Sequence, residues 1–318
     1  MPKSRAVFVE APATSANLGP GFDVMALALR GPVDRLQITR EEGGRGLSLE
    51  VQSPWKVSTS LEGNAAGAVA KAIADDFDVK SRIKMKLVKG VKVGVGLGSS
   101  AASSVCAVKG MSTCFGLKLT ESEAIAYASK GEEVSSGVGH FDNVSACLLG
   151  GVVIVRTAGG VDVSKVKPAA NIGVCVVTPA IPLPERKTEF ARSLLPRSVR
   201  LEKVTENVSL AASLALGFER GDVELIGKGM HDRVVEPVRS GLIPGYEAAR
   251  EGAMAAGAAG VCVSGAGPSM LAVYDKKKAN PRRILRAIGV GFAVAGVRSE
   301  GFDSAIGEGA KVVSFGER

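Results

Sequence analysis

Polar and apolar residues alternate most regularly between positions 80 and 88. There Lys80, Arg82, Lys84 and Lys86 interleave with Ile83, Met85 and Leu87. A period of two predicts a strand with one wet and one buried face. Shorter runs predict strands at 6–10, 35–39, 47–51, 150–156, 172–178, 260–264, 270–275 and 291–297. Thr59-Ser60-Leu61-Glu62 has the capping-box pattern and heads a helix over 65–77. Thr120-Glu121-Ser122-Glu123 repeats the pattern and opens a helix to about 134. Small apolar residues over 101–111 suit a tightly packed helix. Further helices are expected near 187–195, 201–218, 222–230, 244–256 and 281–288. Strands and helices mix without regular βαβ alternation, which predicts an α+β fold. Residues 11–23 interrupt the first strand with turn formers, as a turn or a binding loop. The pattern loosens over 158–168, around Gly159-Gly160, Lys165, Lys167 and Pro168. A domain boundary belongs there, giving domains 1–160 and 161–318.

Composition narrows the class. The chain has 318 residues, 46% of them hydrophobic and only 4% aromatic, so its core is aliphatic. No apolar run reaches membrane-spanning length, and the N-terminus lacks signal-peptide architecture, so a cytoplasmic protein is expected. The cysteines at 106, 114, 147, 175 and 262 form no Cys-x-x-Cys pair and read as buried thiols. With only His140 and His231 available, a zinc site is improbable. The formal net charge of +8 suits anionic metabolites. Without basic-aromatic interleaving it is no argument for nucleic acid.

The candidate chemistry centres on Gly94-Val95-Gly96-Leu97-Gly98-Ser99-Ser100. Glycines at alternate positions let the backbone approach a ligand, and the helix start that follows offers free N–H groups to an anion. The loop lacks the Gly-Lys-Ser/Thr ending of a P-loop and the spacing of a dinucleotide fingerprint. Alone it reads equally as a turn before a buried helix. Glu132-Glu133 follows on a second helix, and a carboxylate near a phosphate cradle suggests a magnesium ligand. His140-Phe141-Asp142-Asn143 gathers polar groups beside an apolar run, with a helix cap by Asp142 or Asn143 as the plainer reading. Gly265-Ala266-Gly267-Pro268-Ser269 is a tight turn whose glycines could bring backbone to a nucleotide or to the first loop.

Three stretches together carry a family resemblance. Pro12-Ala13-Thr14-Ser15-Ala16-Asn17-Leu18-Gly19-Pro20-Gly21-Phe22-Asp23 resembles the first motif of the GHMP kinases. Gly96-Leu97-Gly98-Ser99-Ser100-Ala101-Ala102 resembles their phosphate-binding motif, and Val263-Ser264-Gly265-Ala266-Gly267-Pro268-Ser269 their third. The tail of the first motif and the segments at 140–143, 188–192 and 236–239 are similar to the branch acting on homoserine. The resemblance implies a first domain like the second domain of ribosomal protein S5 and a ferredoxin-like second domain. It also implies a homodimer that uses ATP and Mg²⁺ to phosphorylate L-homoserine, a step toward threonine, with no nucleic-acid or membrane partner.

By the same resemblance Gly94, Val95, Gly96, Leu97, Gly98, Ser99, Ser100 and Ala101 surround the ATP phosphates, and Ser100 and Glu132 hold the metal. Asp23 meets the substrate ammonium, Arg192 and Arg239 its carboxylate, and Asn143 the reacting hydroxyl. Asn17 and His140 line the pocket. On this assignment no side chain serves as an essential base. A related kinase for mevalonate, shikimate or threonine, or a non-catalytic sensor, remains open. Two positions depart from the family pattern: Lys92 stands before the glycines where Pro is usual, and Phe141 follows His140 where Pro is usual.

Overall fold

The computed structural model describes residues 5–137, 139–184 and 186–317. In chain order these form β1 (Arg5–Asn17), β2 (Gly21–Glu41), β3 (Gly46–Gln52), α1 (Ala65–Asp76), β4 (Arg82–Val88), α2 (Ser99–Phe115), α3 (Glu121–Ser136) and α4 (Phe141–Leu149). Next come β5 (Val152–Arg156), β6 (Asp162–Val166), β7 (Ile172–Pro179), α5 (Lys187–Ser193), α6 (Leu201–Arg220), α7 (Val223–Gly229) and α8 (Glu236–Ser240). The rest are α9 (Tyr246–Ala255), β8 (Gly260–Val263), β9 (Met270–Asp275), α10 (Pro281–Val294), β10 (Ser299–Ser304) and β11 (Lys311–Glu317).

Two sheets organise the chain. The first runs β11-β1-β2-β4-β3, with β5 added to β2 and β6 to β5. Its long strand β2 pairs with β1 along one side and serves two further partners. Met25–Leu27 pairs with β5, and Arg35–Glu41 with β4. Helix α2 lies on β1 and β2 with α1 and α3 packed beside it. Its small residues allow this close approach: a Cβ at Gly110 would stand 2.7 Å from Ile38 Cδ1. The second sheet runs β10-β7-β9-β8, all antiparallel. In chain order these are its fourth, first, third and second strands, the ferredoxin-like arrangement. Helix α10 covers β7 and β10, and α9 packs on α10 and β8. The α+β expectation with these two halves matches the structure. Strand β6 lies beyond residue 160, and β11 returns from the end of the chain, yet both complete the first sheet.

Local expectations fail where tertiary partners override pattern. The first strand does not break at residue 11; it continues to Asn17 because Ala11 and Ala13 are buried like Val7 and Val9. Pro12 is tolerated beside a register shift between Pro12 and Thr14. The capping box expected at Thr59 does not form. Asn64 caps α1 instead, accepting from Ala66 N at 3.0 Å. Residues 291–297 are not a strand. Ile284, Ile288, Gly291 and Phe292 are buried at helical spacing, so α10 continues to Val294. The Thr120 box forms as expected. The five cysteines are buried, in line with their reading as structural thiols. Among the described residues no helix is long and apolar enough to cross a membrane.

Candidate active site

The three glycine-bearing motifs, distant in sequence, meet through backbone hydrogen bonds. Thr14 N donates to Leu97 O at 3.1 Å, Gly265 N to Ala16 O at 3.1 Å, and Ser269 N to Val95 O at 3.1 Å. Ser264 Oγ reaches both Ser15 Oγ (2.8 Å) and Gly96 O (2.7 Å). Close approach explains two of the glycines. A Cβ on Gly96 would stand 2.2 Å from Ser264 O, and one on Gly98 would stand 1.9 Å from Thr14 Oγ1. Both residues also take positive φ, 85° and 63°. Gly98 caps α2 with no side-chain hydrogen bond and no acidic residue follows in the first turn. The N–H groups that begin this 17-residue helix are therefore available to an anion.

The loop is anchored from below by residues that sequence reasoning missed. Lys89 and Asp34 form a fully buried ion pair. Asp34 Oδ1 accepts from Gly90 N and Val91 N, each at 3.0 Å, where the loop begins. Lys89 Nζ and Ser103 Oγ lie 2.8 Å apart, and Lys89 Nζ also donates to Ser99 O at 2.8 Å. In the sequence Lys89 follows the basic strand with nothing to mark it. Only the return of β2 beneath the loop supplies its counter-charge. Lys92 pairs with Glu300 of β10, so the unusual lysine joins the loop to the second sheet. Phe141 begins α4 half-buried against the core.

A cavity of about 320 Å³ opens above the loop and gathers most of the expected site residues. Its walls include Gly94, Gly96, Leu97, Gly98, Ser99, Ser100, Glu132, His140, Asn143, Asn17, Asp23, Arg192 and Arg239. Val95 and Ala101 are exceptions: their side chains are buried in the core, leaving only backbone to face a ligand. Glu132 is buried, and burial raises its pKa to about 7; the hydrogen bond with Ser100 partly opposes that rise. A carboxylate and a hydroxyl bonded to each other beside an anion-binding helix start are a fitting donor set for Mg²⁺, which prefers few protein ligands plus phosphate oxygens.

The opposite wall is polar and strained. Asn17 and Asp23, at the two ends of the β1–β2 turn, both take positive φ, 70° and 57°. Asn17 Nδ2 donates to Gly265 O at 2.9 Å, and its Oδ1 accepts from Asp23 N at 3.2 Å. Arg239 is buried, donates to Gly265 O at 2.8 Å, and has its Nε buried without a partner. It is positioned by α8, whose start Asp232 holds by accepting from Val234 N and Glu236 N, each at 2.8 Å. Glu236 accepts from Tyr246 Oη and Val263 N. Arg192 and Arg239 flank the Phe22 ring at 5.2 and 5.1 Å.

Asp23 and Arg192, assigned to opposite ends of a substrate, here pair with each other. Arg192 Nη2 lies 2.9 and 2.7 Å from the two carboxylate oxygens. The same nitrogen lies 2.9 Å from His140 Nε2. A guanidinium only donates, so Nε2 accepts and His140 is neutral. Its pKa is lowered chiefly by burial and further by Arg192 and Arg239, against the raising influence of Asp23.

Asp142 is the residue whose functional placement sequence reading missed. It lines the cavity, is buried, and has a pKa raised to about 7 by burial and by the charge of Asp23. It accepts from Asn143 N at 2.7 Å and Nδ2 at 3.2 Å, while Asn143 Oδ1 accepts from Thr14 Oγ1 at 2.6 Å. The helix-cap reading fails, since His140 occupies the cap position without a side-chain cap bond. A carboxylate next to a site asparagine was the available signal.

Residues 64–151 match the GHMP kinases N terminal domain, and residues 214–290 the GHMP kinases C terminal model. The homoserine kinase of Haloarcula marismortui is 40% identical over 310 residues, covering 96% of this chain and 99% of that protein. The chain belongs to the homoserine kinase family of GHMP kinases. The homoserine kinase of Thermoplasma acidophilum is 40% identical over 274 residues, 85% of each chain. A crystal structure of homoserine kinase from Cytophaga hutchinsonii superposes with a TM-score of 0.88 at 31% identity, covering 97% of both chains. Membership in this family carries with it ATP-dependent phosphoryl transfer to an alcohol group.

Proposed function

We propose that the protein phosphorylates the side-chain hydroxyl of L-homoserine with ATP and Mg²⁺, yielding O-phospho-L-homoserine for threonine synthesis. One observation carries the reading: a single cavity joins an uncapped helix start beside Ser100 and Glu132 to a buried arginine with an orphaned nitrogen. The first end suits a polyphosphate with its metal, and the second a carboxylate. ATP phosphates lie along the backbone of 94–101. Ser100 and Glu132 hold Mg²⁺, which supplies charge neutralisation when bound.

The Asp23–Arg192 pair suits a zwitterion. The ammonium of an amino acid takes Asp23, and its carboxylate takes Arg192 and Arg239, so the half-exposed Asp23 and Arg192 exchange one partner for another while buried Arg239 gains one. Asn17 and His140 hold these groups in place. Asn143 holds the hydroxyl. Asp142, bonded to Asn143, is a pocket carboxylate with a pKa near neutrality and so is suited to receive the hydroxyl proton. The family resemblance, weighing only Asn143 and Asp23, leaves the reaction without a base; Asp142 is the group that offers one. Transfer otherwise depends on alignment and fixed dipoles.

The protein acts in the cytoplasm as a homodimer. Exposed Leu201, Val204 and Val208 along α6 support self-association, which light scattering measures directly. A coupled ADP-release assay across homoserine, threonine, serine, mevalonate and shikimate tests the substrate. Turnover with homoserine at the highest kcat/KM is expected; preference for mevalonate or shikimate would overturn the assignment.

A further inference from the structure

We propose that Lys187 is a phosphate-binding residue that contacts the transferred γ-phosphoryl of ATP. This rests on the phosphotransferase reading above. Lys187 begins α5 and lines the cavity, with Nζ donating to Gly267 O. Gly267 O lies 2.8 Å from where a Cβ of Gly96 would be, so the ammonium stands beside the glycine-rich loop. The approach is built into the backbone. Leu183 Cδ1 comes within 3.3 Å of the Cβ position of Gly94, and Arg186 then turns the chain at φ 51° into the helix.

Lys187, like Arg239, carries a charge that no carboxylate matches among the described residues, unlike the other cavity cations. Arg192 is matched by Asp23, and Lys89 by Asp34. Among the described residues, no carboxylate pairs with Lys187; its partner is a neutral carbonyl. Burial, then the charge of Arg239, lowers its pKa to about 7. A half-buried cation beside an anion cradle gains its missing counter-charge from a bound polyanion. Helix geometry indicates which phosphate. Arg192 follows five residues later on α5, about 7.5 Å along the axis, and faces the acceptor side. Lys187 and Arg192 thus line one cavity from one short helix, Lys187 at the cradle and Arg192 at the acceptor, which puts the ammonium within the path that the γ-phosphoryl takes.

The test is calorimetric binding of Mg²⁺ with the imido analogue of ATP, and of Mg²⁺ with ADP, to wild type, Lys187→Met, Lys187→Gln and Lys187→Arg. Loss of one charge-assisted contact should weaken binding of the analogue roughly ten- to a hundredfold. The effect on ADP should stay within about twofold for Met and Gln, and Arg should retain part of the preference. Gln keeps a donor for Gly267 O, so it serves if Met fails to fold. An unchanged analogue-to-ADP ratio would overturn the proposal, as would a defect confined to the KM for homoserine, which would make Lys187 only a tether for α5. If wild type does not bind the analogue, the phosphotransferase reading falls as well.

Discussion

The buried pair beneath the glycine-rich loop sets up a sharp thermodynamic test. Asp34→Asn keeps an acceptor for the amides of Gly90 and Val91 but removes the charge that matches Lys89 Nζ. Both side chains are essentially inaccessible, at 0% and 3%. Removing one partner of such a pair costs about 3–5 kcal/mol, because the other charge stays buried and unmatched. That is roughly a hundredfold to several-thousandfold in the folding equilibrium. Adding Lys89→Met removes the stranded cation and fills its volume with apolar atoms. The double variant should then be more stable than the sum of the single losses implies, by more than about 2 kcal/mol. Urea unfolding followed by circular dichroism of wild type, both single variants and the double variant measures the coupling. Binding of an ATP analogue should weaken most in Asp34→Asn, since the stranded lysine distorts the loop it was holding. Additivity within about 0.5 kcal/mol would refute the reasoning, since it would mean that the two charges do not sense each other.

Other predictions follow from the cavity. Gly98→Val should abolish binding of the ATP analogue while the chain stays folded, because the added atoms collide with Thr14 and displace Asn143; unchanged affinity by calorimetry would contradict this. Glu132→Gln should depress turnover most steeply at limiting Mg²⁺, which a magnesium titration of the initial rate reveals. Arg239→Ala should lower kcat/KM for homoserine roughly ten- to a hundredfold, and far less for homoserine amide, whose carboxylate charge is missing; equal losses on both would count against carboxylate recognition. Asp142 binds its proton more tightly when folded, so its contribution to stability is lost as pH rises from about 4, the unfolded value, through about 7. Asp142→Asn should therefore gain melting temperature relative to wild type between pH 5 and 8, and kcat should lose its rise through pH 7.

Much of this site was legible because its determinants are local. Glycines at 94, 96 and 98 and the hydroxyls after them announce an anion cradle in any fold that puts a helix next. The Thr120 capping box likewise needs only four adjacent residues. What was hidden depends on partners supplied by distant chain. Lys89 has meaning only once Asp34 lies beneath it, and Asp142 only once α4 turns it into the cavity beside Asn143. The mutual pairing of Asp23 and Arg192 joins residues 169 positions apart. The helix at 281–294 misled at its end because Gly291 resembles a breaker, whereas its missing Cβ lets α10 pack on Ala249 at 2.3 Å from the position a Cβ would take. Strands β6, β10 and β11 carry many polar residues, and their pairing partners define them more than their own pattern does.

The return of β11 to the first sheet sets an order on how the newborn polypeptide matures. Arg5 pairs with Glu317, and Glu10 with Lys311, so one side of β1 has its partner only in residues 311–317. That partner leaves the ribosome roughly three hundred residues after β1, about 15–60 s later at ordinary translation speed. Throughout that interval β1 offers its unpaired edge to any neighbouring strand, the exposure that promotes aggregation. The strand leading to Asn17 thus reaches its final hydrogen bonding only after residues 311–317 have emerged. Stalled or prematurely released chains would carry the glycine-rich loop and most of its cavity wall but lack the closing strand of the sheet beneath them.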